Sequence, residues 1–180
     1  MAARDVYLQS HPEVKIHIFD TLSTGPEMQL LAEKLAELHA KGLPFDVVCE
    51  KAQEYLATTH LFFSLKSLHN LAQNGRVSKI AAGAIGILGI QILATASLEG
   101  TIQPVEKCRG EKKTCAAMVQ NLLEADYHGG KVRIHHAENP EAAGALAASL
   151  RGHFPEADIE IRPCPVSYTH LRAHETTLHL

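Results

Sequence analysis

Apolar residues in the second half of the chain alternate between the period of a strand and that of a helix. Short apolar runs at residues 61–65 and 92–96 predict buried strands. Residues 101–107 predict a third strand, joined to the second by a tight turn at Glu99-Gly100, and Pro104 favours an edge position for it. Beyond it the pattern predicts a helix at 111–126, a strand at 131–137, a helix at 140–154 and a strand at 157–162. This alternation predicts an α/β fold with helices packed against a sheet.

The first half of the chain predicts one strand and two helices. The strand covers residues 14–19, and the helices cover 27–41, closed by Gly42, and 44–56, opened by Pro44. Apolar residues at helical spacing define the inward faces of these two helices and of the helix at 111–126. They are Met28, Leu31, Leu35 and Leu38 in the first, Phe45, Val48, Ala52 and Leu56 in the second, and Cys115, Met118, Val119, Leu122 and Leu123 in the third.

The segment between the first two strands of the second half combines a helix with a glycine-containing apolar run. Leu65, Leu68 and Leu71 predict a helix that ends at Asn74-Gly75. Residues 80–90 are apolar on almost every side, and their three regularly spaced glycines allow another backbone or a ligand to approach closely. Because these glycines do not follow a strand as a dinucleotide-binding turn requires, they indicate tight packing.

Composition and charge narrow the class of protein. The 180 residues are 46% hydrophobic with a formal net charge of −3, which is typical of a globular chain and argues against nucleic acid as a partner. Residues 80–98, the longest apolar stretch, contain Gln91 and several small residues, so no stable membrane insertion is expected. The four cysteines lack paired spacing and the N-terminus lacks an apolar leader, which favours reduced thiols in the cytoplasm.

Two candidate groups for anion binding each have a structural alternative. Ser23 and Thr24 follow a predicted strand and precede a helix, so they could bind an anion with the helix N-terminal amides or simply cap that helix. Arg76 either caps the preceding helix or contacts a ligand or partner.

Four basic residues surround the predicted start of the helix at 111–126. Cations at a helix N-terminus oppose the helix dipole, so their role there is not helix stability. These four residues either form a solvated helix start or contact a partner or a phosphate. The four residues are Lys107, Arg109, Lys112 and Lys113.

The histidines do not predict a metal site. His135 and His136 are neighbours on a strand and point to opposite faces. His170 and His174 have helical spacing suited to zinc, with His179 nearby, but they lie in a C-terminal segment, residues 167–180, that is expected to be non-native. No serine has the surroundings of a catalytic nucleophile, so the chain is expected to have neither a metal nor a catalytic residue.

The combined order of these motifs resembles the DegV family of bacterial fatty-acid-binding proteins, which includes the acyl-carrying subunit of fatty acid kinase. The matching features are the leucine-spaced helix, Gly75-Arg76-Val77-Ser78, the apolar segment, the hairpin and the turn Lys107-Cys108-Arg109-Gly110. The resemblance covers roughly residues 1–166. It implies a two-domain fold, with residues 1–59 as an incomplete N-terminal α/β domain and 60–166 as a nearly complete C-terminal α/β sandwich domain. The family's hydroxyl-rich motifs for the lipid carboxylate are missing before Met1, and residues 167–180 are expected to be a non-native tail.

The resemblance implies a non-catalytic protein that binds a long-chain fatty acid between two domains and presents its carboxylate to a fatty acid kinase subunit. The fatty acid is the ligand, and no cofactor is expected. Candidate tunnel residues, for which core packing is the alternative, are Phe62, Phe63, Ile85, Leu88 and Ile92. Ser23, Thr24 and Arg76 would lie near the head group, and Arg109, with the three lysines beside it, would contact the kinase. The alternatives are a small α/β enzyme or binder that uses Ser23, Thr24 and Arg76 for an anionic metabolite, and a truncated product without function.

Overall fold

The computed structural model describes residues 2–66, 89–97, 99, 101–164 and 177–179. The chain divides into two compact units, one formed by Met1–Thr21 and Leu31–Thr59 and the other by Leu22–Leu30 and His60–Leu180. The predicted helix that ends at Asn74-Gly75, and the apolar segment from residue 80 to 88, lie outside the described residues.

The first unit is helical. It contains α1 (Ala2–Ser10), α3 (Phe45–Leu56) and the larger part of α2 (Pro26–Ala40). Gly42 closes α2 with a φ of +68°, and its N–H donates to the carbonyl of His39 at 2.9 Å. The core of this unit confirms most of the predicted inward faces, because it consists of Leu31, Leu38, Ala52 and Leu56, with Leu35 and Val48 packed against them.

Three predictions for this part of the chain are wrong. Residues 14–19 do not form a strand, because no described strand pairs with them and a strand needs a ladder partner. Phe45 is 42% exposed at the first residue of α3, with the Lys15 ammonium 5.8 Å from the centre of its ring. Met28 is 53% exposed, because it lies in the first turn of α2, before the helix reaches the apolar core that starts at Leu31.

The second unit contains a six-stranded sheet in the order β3-β2-β1-β6-β4-β5. Only the pair β4 and β5 is parallel, and the other neighbours are antiparallel. The strands are β1 (Phe62–Leu65), β2 (Ile90–Ala96), β3 (Ile102–Arg109), β4 (Lys131–His136), β5 (Asp158–Pro163) and β6 (Thr177–His179). The five strands predicted after residue 60 are confirmed. Strand β6 is an addition, since it places three residues of the predicted non-native tail between β1 and β4.

The hairpin of β2 and β3 confirms the predicted edge position of Pro104. Among the described strands, β3 is the outermost on its side of the sheet, a position that tolerates proline, which has no N–H to donate. Leu93 pairs with Glu106 and Ala94 with Pro104, so Val105 is an extra residue in a β-bulge.

Helices α4 (Glu111–Glu124) and α5 (Pro140–His153) pack on one face of the sheet, which we call the helix face. The core between them includes Phe62, Leu93, Met118, Ile134, Leu146 and Leu150. Leu123 was predicted to face inward but is 39% exposed. Successive residues of a helix are about 100° apart around its axis, so Leu123 points away from the side on which Leu122 is buried. Asp126, with a φ of +63°, follows the end of α4.

Candidate functional site

The sheet face opposite α4 and α5, which we call the second face, has an apolar half. Side chains alternate across a strand, so every second residue of β1 and β2 points to this face. Their side chains form a separate cluster, whose five buried members are each at most 5% exposed. The cluster consists of Leu61, Phe63, Leu65, Ile92 and Ala94, with Ile90, Ala96 and Ile102 packed against it.

The structure separates the candidate tunnel residues. Phe63 and Ile92 lie together in the apolar half of the second face. Phe62 points the other way and packs in the helix-face core, so it belongs to a different side of the sheet. Ile85 and Leu88 lie outside the described residues.

The other half of the second face is polar and is built on β4 and β5. Arg133 is directly opposite Glu160 in the parallel register, with 3.4 Å between Nε and Oε2. Its Nη2 lies 3.0 Å from Oδ2 of Asp158, and its Nη1 donates to the Asp158 carbonyl at 2.9 Å. The Arg133 side chain is only 5% exposed, so this is a buried charge with two carboxylate partners. This cluster was not among the predicted sites, although the alternation of Arg133 with apolar neighbours in β4 is a signal for it.

Gln29 ties the start of α2 to this polar half. Its Nε2 donates to Oε2 of Glu160 at 3.0 Å, and its Oε1 lies 2.8 Å from Nε2 of His135. Burial, followed by the nearby Arg162 charge, lowers the pKa of His135, so the ring is neutral at neutral pH. Because Oε1 can only accept, the proton of the ring is on Nε2 and is donated to Gln29.

Ser23 and Thr24 lie in the loop that leads into α2, and both are partly buried. The Leu22–Leu30 segment that carries them belongs to the second unit, where Gln29 anchors it. Their hydroxyls therefore lie before the N-terminus of a 15-residue helix, where backbone N–H groups favour an anion. Arg76, the third residue predicted near a head group, lies outside the described residues.

The basic turn, formed by Lys107, Arg109, Lys112 and Lys113, is exposed at all four positions. Gly110, with a φ of +81°, turns the chain from β3 into α4. None of the four cations forms an ion pair with another residue in the described ranges, whereas the adjacent Glu111 is paired with Lys66. The turn therefore presents uncompensated positive charge to solvent.

His135 and His136 do not share a site, as their adjacency predicted. His135 bonds to Gln29 on the second face, whereas Nδ1 of His136 accepts from the backbone N–H of Asn139. Within the described residues there is no group of three or more histidine, cysteine or acidic side chains that could hold a metal ion. His170 and His174 lie outside those residues. The described part of the chain also contains no helix with the length and apolar character needed to span a membrane.

Comparison with known proteins identifies relatives along most of the chain. The DegV domain-containing protein of Streptococcus pneumoniae strain R6 is 40% identical over 161 residues, which cover 89% of this chain and 57% of that protein. This chain therefore spans little more than half of the length of such relatives.

Solved structures with the same fold include two proteins that hold fatty acids. A DegV family protein from Eubacterium eligens loaded with heptadecanoic acid has a TM-score of 0.93 and 40% identity, over 99% of this chain and 64% of that one. The fatty acid kinase (Fak) B3 protein of Streptococcus pneumoniae, loaded with linoleic acid, has a TM-score of 0.92 and 37% identity, over 99% of this chain and 63% of that one. The model of the DegV family of uncharacterised proteins matches residues 1–173. The chain thus has the α/β fold of these structures and belongs to the DegV family.

Proposed function

We propose that this chain binds a long-chain fatty acid on the second face of its sheet and has no catalytic role of its own. The observation that carries the proposal is the division of this face into an apolar half and a polar half. An amphipathic ligand requires such a division. The fatty acids held by the relatives from Eubacterium eligens and Streptococcus pneumoniae support it.

The apolar half would provide most of the affinity. A tail of roughly fourteen methylenes, at about 0.8 kcal/mol each, contributes about 11 kcal/mol when it is removed from water. Phe63 and Ile92 are buried side chains on the same side of the sheet, and in the proposal they contact the tail.

The carboxylate would be oriented by hydroxyl and backbone groups rather than by a free cation of the polar half. Arg133 is already paired with Asp158 and Glu160, and Arg162 also lies 2.6 Å from Glu160. The two arginines and the two acids therefore balance in charge, and His135 is neutral. We assign the carboxylate to the hydroxyls of Ser23 and Thr24, together with the first N–H groups of α2.

The test is to remove lipid from the purified chain, add heptadecanoic acid and measure the complex by native mass spectrometry. We expect one molecule of the acid to bind. We expect the double variant Ser23→Ala, Thr24→Ala to bind it about tenfold more weakly, which is the effect of losing a charge-assisted hydrogen bond. The methyl ester, which has no charged head group, should not respond to that double substitution. A folded, cooperatively melting chain that binds no fatty acid would contradict the proposal.

We further infer that the basic turn docks the kinase subunit that phosphorylates the bound carboxylate. Its four exposed cations, and the relative that is named as part of a fatty acid kinase, support this inference. Arg109→Glu should weaken binding to such a subunit by about tenfold and reduce its dependence on salt, because charges at the rim of an interface steer association.

Arg151→Glu is the matched control for this substitution, since Arg151 is an exposed arginine on α5, away from the basic turn. Surface plasmon resonance with immobilised kinase subunit measures both variants. Equal loss of binding in the two variants would show that net charge, and not the basic turn, is responsible.

A further inference from the structure

A small cleft, partly open to solvent, lies at one end of the helix face. It forms where β1 ends and β2 begins, next to the first turns of α4 and α5. All of its lining residues belong to the second unit. Because the cleft is on the helix face, it lies on the opposite side of the sheet from the surface proposed for the acyl chain.

Three buried polar side chains line this cleft, and one of them, Thr114, already donates to the Gly110 carbonyl at 3.0 Å. The other two are Ser64 and Gln91. Ser64 is 5% exposed and Gln91 is 7% exposed. They occupy the same face as Phe62 and Leu93, the neighbouring positions two residues away on β1 and β2, which carry large apolar side chains. Neither side chain makes a hydrogen bond to another residue in the described part of the chain. Their polar atoms are not closed off from solvent, so water or a ligand in the cleft provides their hydrogen-bond partners.

The mouth of the cleft is arranged around Lys66. Its Nζ lies 2.7 Å from Oε1 of Glu111, and Nδ2 of Asn139 donates to the same oxygen at 3.0 Å. These bonds, first that from Lys66 and then that from Asn139, lower the pKa of Glu111, so it stays ionised and holds the lysine. Lys66 has three N–H donors, so two remain available for a ligand.

The local field also favours an anion. Gly110 is the N-cap of α4 and provides no side-chain cap, so the first N–H groups of that helix lack a side-chain acceptor. The basic turn adds further positive charge on either side of Gly110. Glu111 is the acidic side chain of the cleft lining, and Lys66 compensates its charge.

We propose that this cleft binds a small oxyanion, the phosphate or carboxylate group of a soluble molecule, through Gln91, Ser64 and Lys66. The proposal is independent of fatty-acid binding, because it uses other residues on the other face of the sheet. It uses neither Ser23 nor Thr24, the residues assigned to the fatty-acid carboxylate.

The test is to titrate the full chain separately with inorganic phosphate and with acetate at low ionic strength and to record amide chemical shifts. Binding of phosphate alone indicates a phosphorylated ligand, and binding of acetate alone indicates a carboxylate. We expect Gln91→Leu and Lys66→Met each to raise the Kd by about tenfold, since each removes a donor to a charged group.

Matched controls exist for both substitutions. Gln103→Leu changes an exposed glutamine on β3, and Lys41→Met breaks an exposed pair with Glu37 that has the same 2.7 Å separation as the pair of Lys66. Neither control should change the Kd. Lys66 is exposed, so Lys66→Met remains informative if Gln91→Leu does not fold. The proposal is overturned if neither anion shifts the resonances of the cleft, or if the controls weaken binding as much as the cleft variants.

Discussion

Replacing Asp158 by asparagine and Glu160 by glutamine together is expected to lower the free energy of unfolding by about 3–5 kcal/mol, the cost of leaving a buried charge unpaired. Both substitutions keep the side-chain shape and an oxygen that can accept hydrogen bonds, so the Gln29 contact to residue 160 can persist. What disappears is the negative charge beside Arg133, whose side chain is 5% exposed. Urea unfolding followed by circular dichroism measures the change.

Arg133→Met is the informative comparison. The carboxylates that it leaves behind are 59% exposed at Asp158 and 36% exposed at Glu160, so both can be hydrated by water. We therefore expect this variant to lose less stability than the variant that lacks both acids. The reverse order would mean that the arginine stabilises the sheet mainly through packing and its bonds to carbonyl groups, rather than through charge.

Phe62→Ala and Phe63→Ala are expected to differ in lipid binding although they are adjacent and equally apolar. Each removes a buried phenyl ring, 8% exposed at Phe62 and 5% at Phe63, and each should cost about 3–5 kcal/mol of stability. Only Phe63 lies on the second face, with Ile92 and Ala94. We expect Phe63→Ala to lose bound heptadecanoic acid and Phe62→Ala to retain it, as measured by native mass spectrometry.

A second pair of variants tests the same contrast in case one of the phenylalanine variants does not fold. Ile92→Ala and Leu93→Ala truncate neighbouring residues of β2 that point to the second face and the helix face, respectively. The same contrast is expected, with lipid lost only from the second-face variant. Retention of lipid in both Phe63→Ala and Ile92→Ala would exclude the apolar half of the second face as the acyl site.

The sequence by itself determined the local elements that depend on neighbouring residues. The strand at 61–65, the hairpin around Glu99-Gly100 and the alternation of elements after residue 111 follow from the hydrophobic period and from turn-forming residues within short windows. The edge position of Pro104 also followed, because the missing N–H is a property of the residue alone. The ordered motifs were sufficient to identify the DegV family.

Tertiary structure alone decided which of these elements meet and which face each side chain contributes to. Period 2 predicts that Phe62 and Phe63 point apart, but only the packing of α4 and α5 decides which of them enters the helix-face core. Residues 14–19 have a strand pattern without a described partner strand, whereas residues 177–179 obtain two partners and form β6. Arg133 meets Asp158 and Glu160, and Ser64 and Gln91 line one cleft, although long stretches of chain separate them. Ladder bonds, burial and ion pairs depend on residues distant in the chain, so no short window of sequence contains them.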